Sequence, residues 1–237
     1  MSSSDPNRYI VAGSRPWNRA VFEEQLQTLP GQWSFASTVE ELSDQLQQSP
    51  APRYIFFLHW SMRVPDEWLD THECVCFHMT DVPYGRGGSP LQNLIARGHR
   101  ETKLTALRMA HEMDAGPVYA KKPLSLEGSA EEIFLRAGRL SADIIAEMVR
   151  TQPEPVPQSG EPTPFKRRRP EQSAIPADLP DLGALHDFIR MLDAEGYPHA
   201  FIEHGGFRLE FTRASLYDGR LVADVKVTRP TPTAPAT

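Results

Sequence analysis

The sequence has few of the features that mark membrane, secreted or nucleic-acid-binding proteins. It contains no run of about 20 apolar residues, which excludes a membrane-spanning helix. Its 25 basic and 31 acidic side chains give a formal net charge of −6, which argues against non-specific binding to nucleic acid or anionic membrane. Residues 1–5 lack the basic and apolar regions of a signal peptide. These absences predict a cytoplasmic protein with no nucleic-acid or membrane partner.

Cysteine is also scarce, since only Cys74 and Cys76 occur. On a strand they would face the same side, too close along the chain for a usual disulfide. His72 and His78 lie nearby, so a zinc site is one interpretation, but it would need further ligands. Two small strand residues are the simpler interpretation, and we predict no metal.

Short apolar runs alternate with helical patterns over the first two thirds of the chain. Runs at 8–13, 53–58 and 74–78 have strand length, and the first two are typical of parallel strands covered on both faces by helices. Helices are predicted at about 18–29, 38–48 and 129–150. Thr38 and Glu41 form a capping-box pattern at one helix start. The alternation predicts an α/β fold with a Rossmann-like, doubly wound, mostly parallel sheet.

Composition divides the chain into four parts. Residues 1–150 carry the α/β pattern, and the proline-rich residues 151–182 are predicted to be a linker. The basic run Lys166–Arg169 in that linker could contact a phosphate, but a solvated charge cluster is the preferred interpretation. Residues 183–229 are predicted to form a small C-terminal α+β subdomain, mostly β, with a hairpin turn at Asp218-Gly219. The tail, 230–237, is predicted to be disordered.

Two loops carry chemically capable residues where open α/β sheets bind ligands, beyond the carboxyl ends of strands. In the first loop, His78 ends a strand, glycines follow it, and Arg86 could grip an anion or a pair of hydroxyls. In the second, Asp114 lies in a tight turn. A histidine with a carboxylate in reach is a general base. Taken singly, a strand-end histidine and an ordinary turn aspartate explain these residues as well.

The order and spacing of the two loops resembles the catalytic core of the folate-dependent formyltransferase family. That family has Asn-x-His, then a loop often containing Arg-Gly-x-x-Pro, then Asp-x-Gly-Pro. The matching residues here, within a resemblance that covers about residues 53–150, are His78, Pro83, Arg86 to Pro90, and Asp114 to Pro117.

The main departure from the family pattern is Cys76, which stands where the family has its asparagine. In the family that amide holds the formyl oxygen as it becomes an oxyanion, and a neutral thiol is a poor donor for this task. The group that stabilises the oxyanion is therefore left open between His78 and backbone amides. A nucleophilic Cys76 is the weaker alternative, because nothing in the sequence around it would lower its pKa.

The resemblance implies N10-formyltetrahydrofolate as the formyl donor, a primary amine as the acceptor, and no metal. His78 would move the protons, with Asp114 orienting it and stabilising the imidazolium. By position, the folate site of the family maps onto the loop after the second apolar run, closed by Pro65. The predicted donor-binding residues in that loop are Trp60, Ser61, Met62, Arg63 and Val64.

A short C-terminal unit after a linker resembles the nucleotide-sugar N-formyltransferases more than the tRNA-modifying branch. The resemblance implies a small-molecule partner, a UDP-linked 4-amino-4,6-dideoxy sugar of the pseudaminic acid type. Residues expected to face it are Ser14, Tyr84, Gly85 and Arg86. A formyltetrahydrofolate hydrolase and a non-catalytic folate or sugar-nucleotide binding protein are the alternatives. No residue pattern decides the oligomeric state, and a homodimer stays open.

Overall fold

Six strands build one sheet in the computed structural model, which describes residues 7–229. The sheet has the order β2-β1-β3-β4-β6-β7, in which β1 to β4 pair in parallel and β6 runs antiparallel to β4. Two short strands, β5 and β8, pair separately in parallel. The strands are β1 Arg8–Gly13, β2 Gln32–Ala36, β3 Tyr54–Leu58, β4 Cys74–His78, β5 Tyr84–Gly87, β6 Glu101–Arg108, β7 Val118–Ser125 and β8 Thr163–Phe165.

The helices lie between these strands. They are α1 Pro16–Val21, which continues as a π-helical turn over Phe22–Leu26, α2 Val39–Leu46, α3 Asp66–Thr71, α4 Pro90–Ile95, α5 Ala130–Thr151 and α6 Leu182–Arg190. The predicted α/β class with a mostly parallel sheet is confirmed. Every residue of β1 and of β3 is buried, as their unbroken apolar runs predict. Within the described residues, no helix is both long and apolar enough to cross a membrane.

Side-chain hydrogen bonds cap the first turns of α2 and α5. The Thr38 hydroxyl accepts the Glu41 N–H at 3.1 Å, while the Glu41 carboxylate accepts the N–H of Ser37, one residue earlier than predicted. Hydrogen bonds from Ser37 lower the pKa of the Glu41 carboxyl. At α5 the capping box is complete, because the Glu132 carboxylate accepts the N–H of Ser129 and the Ser129 hydroxyl accepts the N–H of Glu132.

The chain forms two units. The first contains residues up to 90, 101–124 and 135–165, and the second contains 91–100, 125–134 and residues from 166 onward. The proline-rich segment contributes β8 and an isolated antiparallel bridge between Val156 and Val118, both within the first unit. The hydrogen bonds of β8 and of this bridge therefore belong to the unit that carries the large sheet, whereas the part of the segment from residue 166 onward belongs to the second unit.

The second unit contains a three-stranded antiparallel sheet of order β11-β10-β9. Its strands are β9 Ala200–His204, β10 Phe207–Tyr217 and β11 Arg220–Thr228, and the predicted Asp218-Gly219 turn joins the last two. The sequence pattern ends β10 at Thr212, five residues early. A bulge follows Thr212, with Arg213 at φ +50°, and the strand then continues. The predicted tail, 230–237, lies outside the described residues.

Candidate active site

The carboxyl ends of β1, β3 and β4 lie side by side at one edge of the sheet. Gly13 pairs with Leu58, and Phe57 pairs with Cys76. The residues that follow these ends include Ser14 and His59, whose carbonyl accepts the Ser14 hydroxyl at 3.3 Å. Parallel strands place their ligand-binding loops at such an edge, and His78 ends β4 there.

His78 is buried, with 8% of its surface exposed, and it faces two hydrogen-bond acceptors. Its Nε2 lies 2.8 Å from the carbonyl oxygen of Gly85, so Nε2 carries a proton and donates it. Its Nδ1 lies 3.5 Å from Asp114 Oδ2, which is within ion-pair range but long for a hydrogen bond. Gly85 therefore holds the ring directly, and Asp114 provides a nearby negative charge.

Asp114 is held by the loop that follows His78. Its Oδ2 accepts the Gly87 N–H at 2.8 Å. Asp114 has φ +54°, a left-handed conformation that aspartate tolerates better than most residues. Two residues on, Gly116 packs so tightly that a Cβ there would overlap the carbonyl oxygen of Arg108. The Asp-x-Gly spacing thus has a steric cause, because only glycine fits at the second position of this turn.

The loop between β4 and β5 is fixed by hydrogen bonds to the neighbouring strands. Thr105 on β6 donates its hydroxyl to the Thr80 carbonyl at 2.7 Å. Lys121 on β7 binds Asp81 at 2.6 Å, and Lys103 on β6 binds the same carboxylate at 2.9 Å. These contacts fix the loop that leads to Gly85 on β5. The carbonyl that orients the His78 ring is therefore held in place by the neighbouring strands.

Arg86 is engaged with other side chains of the protein. Its guanidinium donates to the Gln158 side-chain oxygen through Nε at 3.1 Å and Nη2 at 2.9 Å, and Nη1 lies 3.3 Å from Glu112. Gln158 also donates to the Asp114 and Gly116 carbonyls at 2.8 Å each. Sequence reasoning missed Gln158 because it lies outside both motifs, in the proline-rich segment.

Cys76 lies close to the histidine and the carboxylate but is not set up as a nucleophile. Its pKa is raised far above the usual thiol range, first by burial and then by the negative charge of Asp114. A neutral thiol is neither a good nucleophile nor a good hydrogen-bond donor. Both thiols are free; Cys76 is partly buried, whereas Cys74 is buried, and burial raises the pKa of Cys74 to about 12. Within residues 7–229 no cluster of three or more His, Cys, Asp or Glu side chains is arranged to hold a metal.

The predicted donor loop after β3 divides into packed and exposed residues. Val64 is buried in a core cluster of the first unit, and Trp60 and Cys76 each pack against that cluster. Ser61 and Arg63 are exposed, Met62 is half-buried, and Arg63 pairs with Asp66 at 3.5 Å. The Trp60 indole N–H is buried and meets no acceptor among the described residues.

The remaining predicted contacts are spread along the same unit. Tyr84 packs edge-on against Phe165 on β8, with ring centroids 5.3 Å apart. The Gly85 carbonyl accepts a hydrogen bond from His78, so this predicted substrate contact is already occupied by a side chain of the protein. His59 directly follows β3, and its pKa is lowered to about 4, first by burial and then by the Arg15 charge. A neutral imidazole at this edge was not predicted, although its position after an apolar run was a usable signal.

Comparison with known proteins gives a family model that matches the C-terminal part of the chain and relatives that match a longer stretch. The family model described as "Methionyl-tRNA formyltransferase, C-terminal domain" matches residues 170–228. The methionyl-tRNA formyltransferase of Microcystis aeruginosa is 30% identical over 172 residues, 69% of this chain and 51% of that protein. The chain thus spans about half the length of this curated relative, and less of some others.

Solved structures resemble the chain more completely. The structure described as "Methionyl-tRNA formyltransferase from Clostridium thermocellum" has a TM-score of 0.87 and 42% identity, covering 94% of this chain and 100% of that one. A 4-N formyltransferase from Francisella tularensis has a TM-score of 0.64 at 13% identity, covering 92% of this chain and 96% of that one, and shows the shared fold alone.

The predicted family is confirmed, but the predicted closeness to its nucleotide-sugar branch is not. The higher identities belong to proteins described as methionyl-tRNA formyltransferases. With 42% identity to a relative that it covers over its full length, the chain belongs to the folate-dependent formyltransferase family.

Proposed function

We propose that the protein transfers the formyl group of N10-formyltetrahydrofolate to a primary amine. The observation that carries this proposal is the buried His78 at the carboxyl end of β4, 2.8 Å from the Gly85 carbonyl and 3.5 Å from the Asp114 carboxylate. One ring nitrogen is thereby committed to orientation. The other is left as the group that takes up and returns a proton.

The proton steps follow from this tautomer. The incoming amine must lose a proton as it attacks the formyl carbon, and Nδ1 of His78 is the ring nitrogen with a lone pair to accept it. The resulting positive ring lies between the Gly85 carbonyl and the Asp114 carboxylate, and both stabilise it. The same proton can then pass to N10 of the folate as the carbon–nitrogen bond breaks. One histidine thus serves both transfers.

The formyl oxygen becomes negative during the reaction and needs a stabilising group other than Cys76. Burial keeps the Cys76 thiol neutral, and the Gly87 N–H is already bound to Asp114. We therefore assign this role to the protonated ring of His78, since its charge appears as the formyl oxygen becomes negative.

One feature of the predicted donor loop, the Trp60 indole N–H, supports a bound folate. A buried donor without an acceptor costs roughly 1–3 kcal/mol, and the Trp60 indole N–H is such a group among residues 7–229. An acceptor atom of the donor's heterocycle would satisfy it. Trp60 to Val64 remain the proposed donor-binding residues, with no metal required.

The acceptor proposed first is the amine of a nucleotide-linked 4-amino sugar, bound near Ser14, Tyr84, Gly85 and Arg86. The net charge of −6 supports a small acceptor, because binding to tRNA normally relies on a basic surface. Such an acceptor is consistent with a cytoplasmic enzyme.

A second acceptor, methionyl-tRNA, is favoured by a different observation. The C-terminal residues 170–228 match a family model described for methionyl-tRNA formyltransferase, and the 42% identical structure carries the same description. In this case the exposed basic residues Lys166, Arg167 and Arg169 would face the RNA backbone.

The experiment that separates these proposals follows the fate of a labelled formyl group. Purified full-length protein is mixed with ¹³C-formyl donor and UDP- or dTDP-linked 4-amino sugars, methionyl-tRNA, or no acceptor. We expect a labelled formamide with an amino sugar. If formylmethionyl-tRNA is the only labelled product, methionyl-tRNA is the acceptor. If labelled formate is released equally in every arm, the protein is a hydrolase and the transfer proposal is wrong.

Substitution of Cys76 tests the claim that this residue is not the nucleophile. Changing Cys76 to serine or alanine is expected to leave kcat at the wild-type level, because the partly buried, neutral thiol takes no part in formyl transfer. For the same reason iodoacetamide should modify Cys76 slowly at pH 7.5. Mass spectrometry of protein incubated with donor alone should find no added formyl group. Loss of activity in both variants, with a trapped thioester in the wild type, would contradict this.

A further inference from the structure

Gln158 uses the whole hydrogen-bonding capacity of its side chain at the candidate site. Its Nε2 donates to the carbonyl oxygens of Asp114 and Gly116, each at 2.8 Å. Its Oε1 accepts from two nitrogens of Arg86. A primary amide has two N–H groups and two lone pairs, so none of its polar capacity is spare. The carbonyl bonds and the Arg86 bonds also fix which end of the amide is nitrogen.

The chain around Gln158 is pinned on both sides. Before it, Val156 and Val118 exchange backbone hydrogen bonds of 2.7 and 2.8 Å at the start of β7. After it, the Thr163 N–H binds the Pro83 carbonyl at 3.1 Å, and β8 pairs with β5. Gln158 is therefore presented to the two motif loops by backbone contacts on either side, although no motif contains it.

We propose that Gln158 is a positioning residue for the His78–Asp114 pair, an inference that rests on the proposed function. Through its amide nitrogen it holds the turn that carries Asp114. Through its oxygen it holds Arg86, the neighbour of Gly87, whose N–H binds the Asp114 carboxylate. One side chain thus links both partners of that bond.

The physical reason for such a link is the backbone conformation of the turn. Asp114 sits at φ +54°, a conformation that persists where surrounding contacts hold it. Without the two bonds from Gln158, the turn can relax and the carboxylate can move away from His78. A misplacement of about 1 Å can cost on the order of 10²-fold in rate. Gln158 need not touch either substrate to have this effect.

The test compares two glutamines in the same kind of contact. Gln158→Leu is expected to lower kcat by about 10- to 100-fold while leaving KM for the formyl donor unchanged. Gln152 is the matched control, because its oxygen accepts from Arg53 at 2.8 Å and its nitrogen donates to the Val149 carbonyl at 3.0 Å. Gln152→Leu should lower stability comparably and leave kcat unchanged.

A second variant guards against a folding defect. Gln158→Glu keeps the acceptor for Arg86 but cannot donate to the two carbonyls, so it should still lose kcat, and thermal unfolding checks that the variant is folded. A double-mutant cycle then separates positioning from general destabilisation. In an Asp114→Asn background, Gln158→Leu should change kcat little further, since it acts through Asp114. Fully additive losses, or an equal kcat loss in Gln152→Leu, would overturn the proposal.

Amide hydrogen exchange tests the same geometry without turnover. The Gly87 N–H is bonded to Asp114, so its exchange should accelerate in Gln158→Leu and stay at the wild-type rate in Gln152→Leu. If the wild-type protein formylates no acceptor, the proposed formyl transfer is wrong. The exchange rates still show whether Gln158 holds the Asp114 turn in place. Unchanged exchange in Gln158→Leu, with active wild-type protein, would refute the positioning role alone.

Discussion

Replacing His78 by alanine is expected to lower kcat by on the order of 10²- to 10⁴-fold, the usual worth of acid–base help. The ring contacts both the Gly85 carbonyl and the Asp114 carboxylate, at 2.8 and 3.5 Å. The neighbouring Cys76 thiol does not replace it, since that thiol is held neutral. Steady-state kinetics with saturating donor and acceptor measures the loss.

His78→Gln separates proton transfer from structure. A glutamine amide can still donate a hydrogen bond toward the Gly85 carbonyl but cannot accept a proton at neutral pH, so its loss should equal that of alanine. His204→Ala, at an exposed histidine on β9, is the control and should keep wild-type kcat. Substantial activity in His78→Gln would show that His78 acts only as a hydrogen-bond donor.

Asp114→Asn is expected to lower kcat by on the order of 10²-fold, because the positive ring of His78 loses its stabilising charge. Asparagine tolerates φ +54° and can still accept the Gly87 N–H through its side-chain oxygen. The loss therefore reports the carboxylate charge and leaves the turn in place. Kinetics and thermal unfolding measured together check this separation.

Asp218→Asn is the matched control for that variant. Asp218 also lies in a tight turn, but on the exposed hairpin between β10 and β11, so its change should affect neither kcat nor stability. Asp114→Asn protein that unfolds at wild-type temperature yet keeps wild-type kcat would contradict the role given to the charge.

Uniform burial is one feature that makes a strand predictable from the sequence. β1 and β3 are buried at every position and read as unbroken apolar runs. β2 was missed because, as an edge strand, it is only half-buried and alternates apolar with polar residues. α3 has six residues and no buried side chain, so it carries no apolar periodicity to detect.

The candidate site divides in the same way. His78 and Asp114 could be predicted because each lies in a short motif with a local physical cause, such as the steric need for Gly116. Gln158 could not be predicted from sequence, because its partners are set by the tertiary path of a segment without periodicity. The direct bond from His78 to the Gly85 carbonyl likewise depends on the path of a loop.

Formyl transfer by His78 is tested most directly in a single turnover, with enzyme in excess over ¹³C-formyl donor and the best acceptor of the panel. Wild-type protein is expected to move the label into the formamide. His78→Gln should bind the donor with unchanged affinity by titration yet leave the label on it, as catalysis by proton transfer requires. A wild-type protein that binds donor and acceptor but moves no label, or a His78→Gln variant that moves it at the wild-type rate, would contradict formyl transfer at this site.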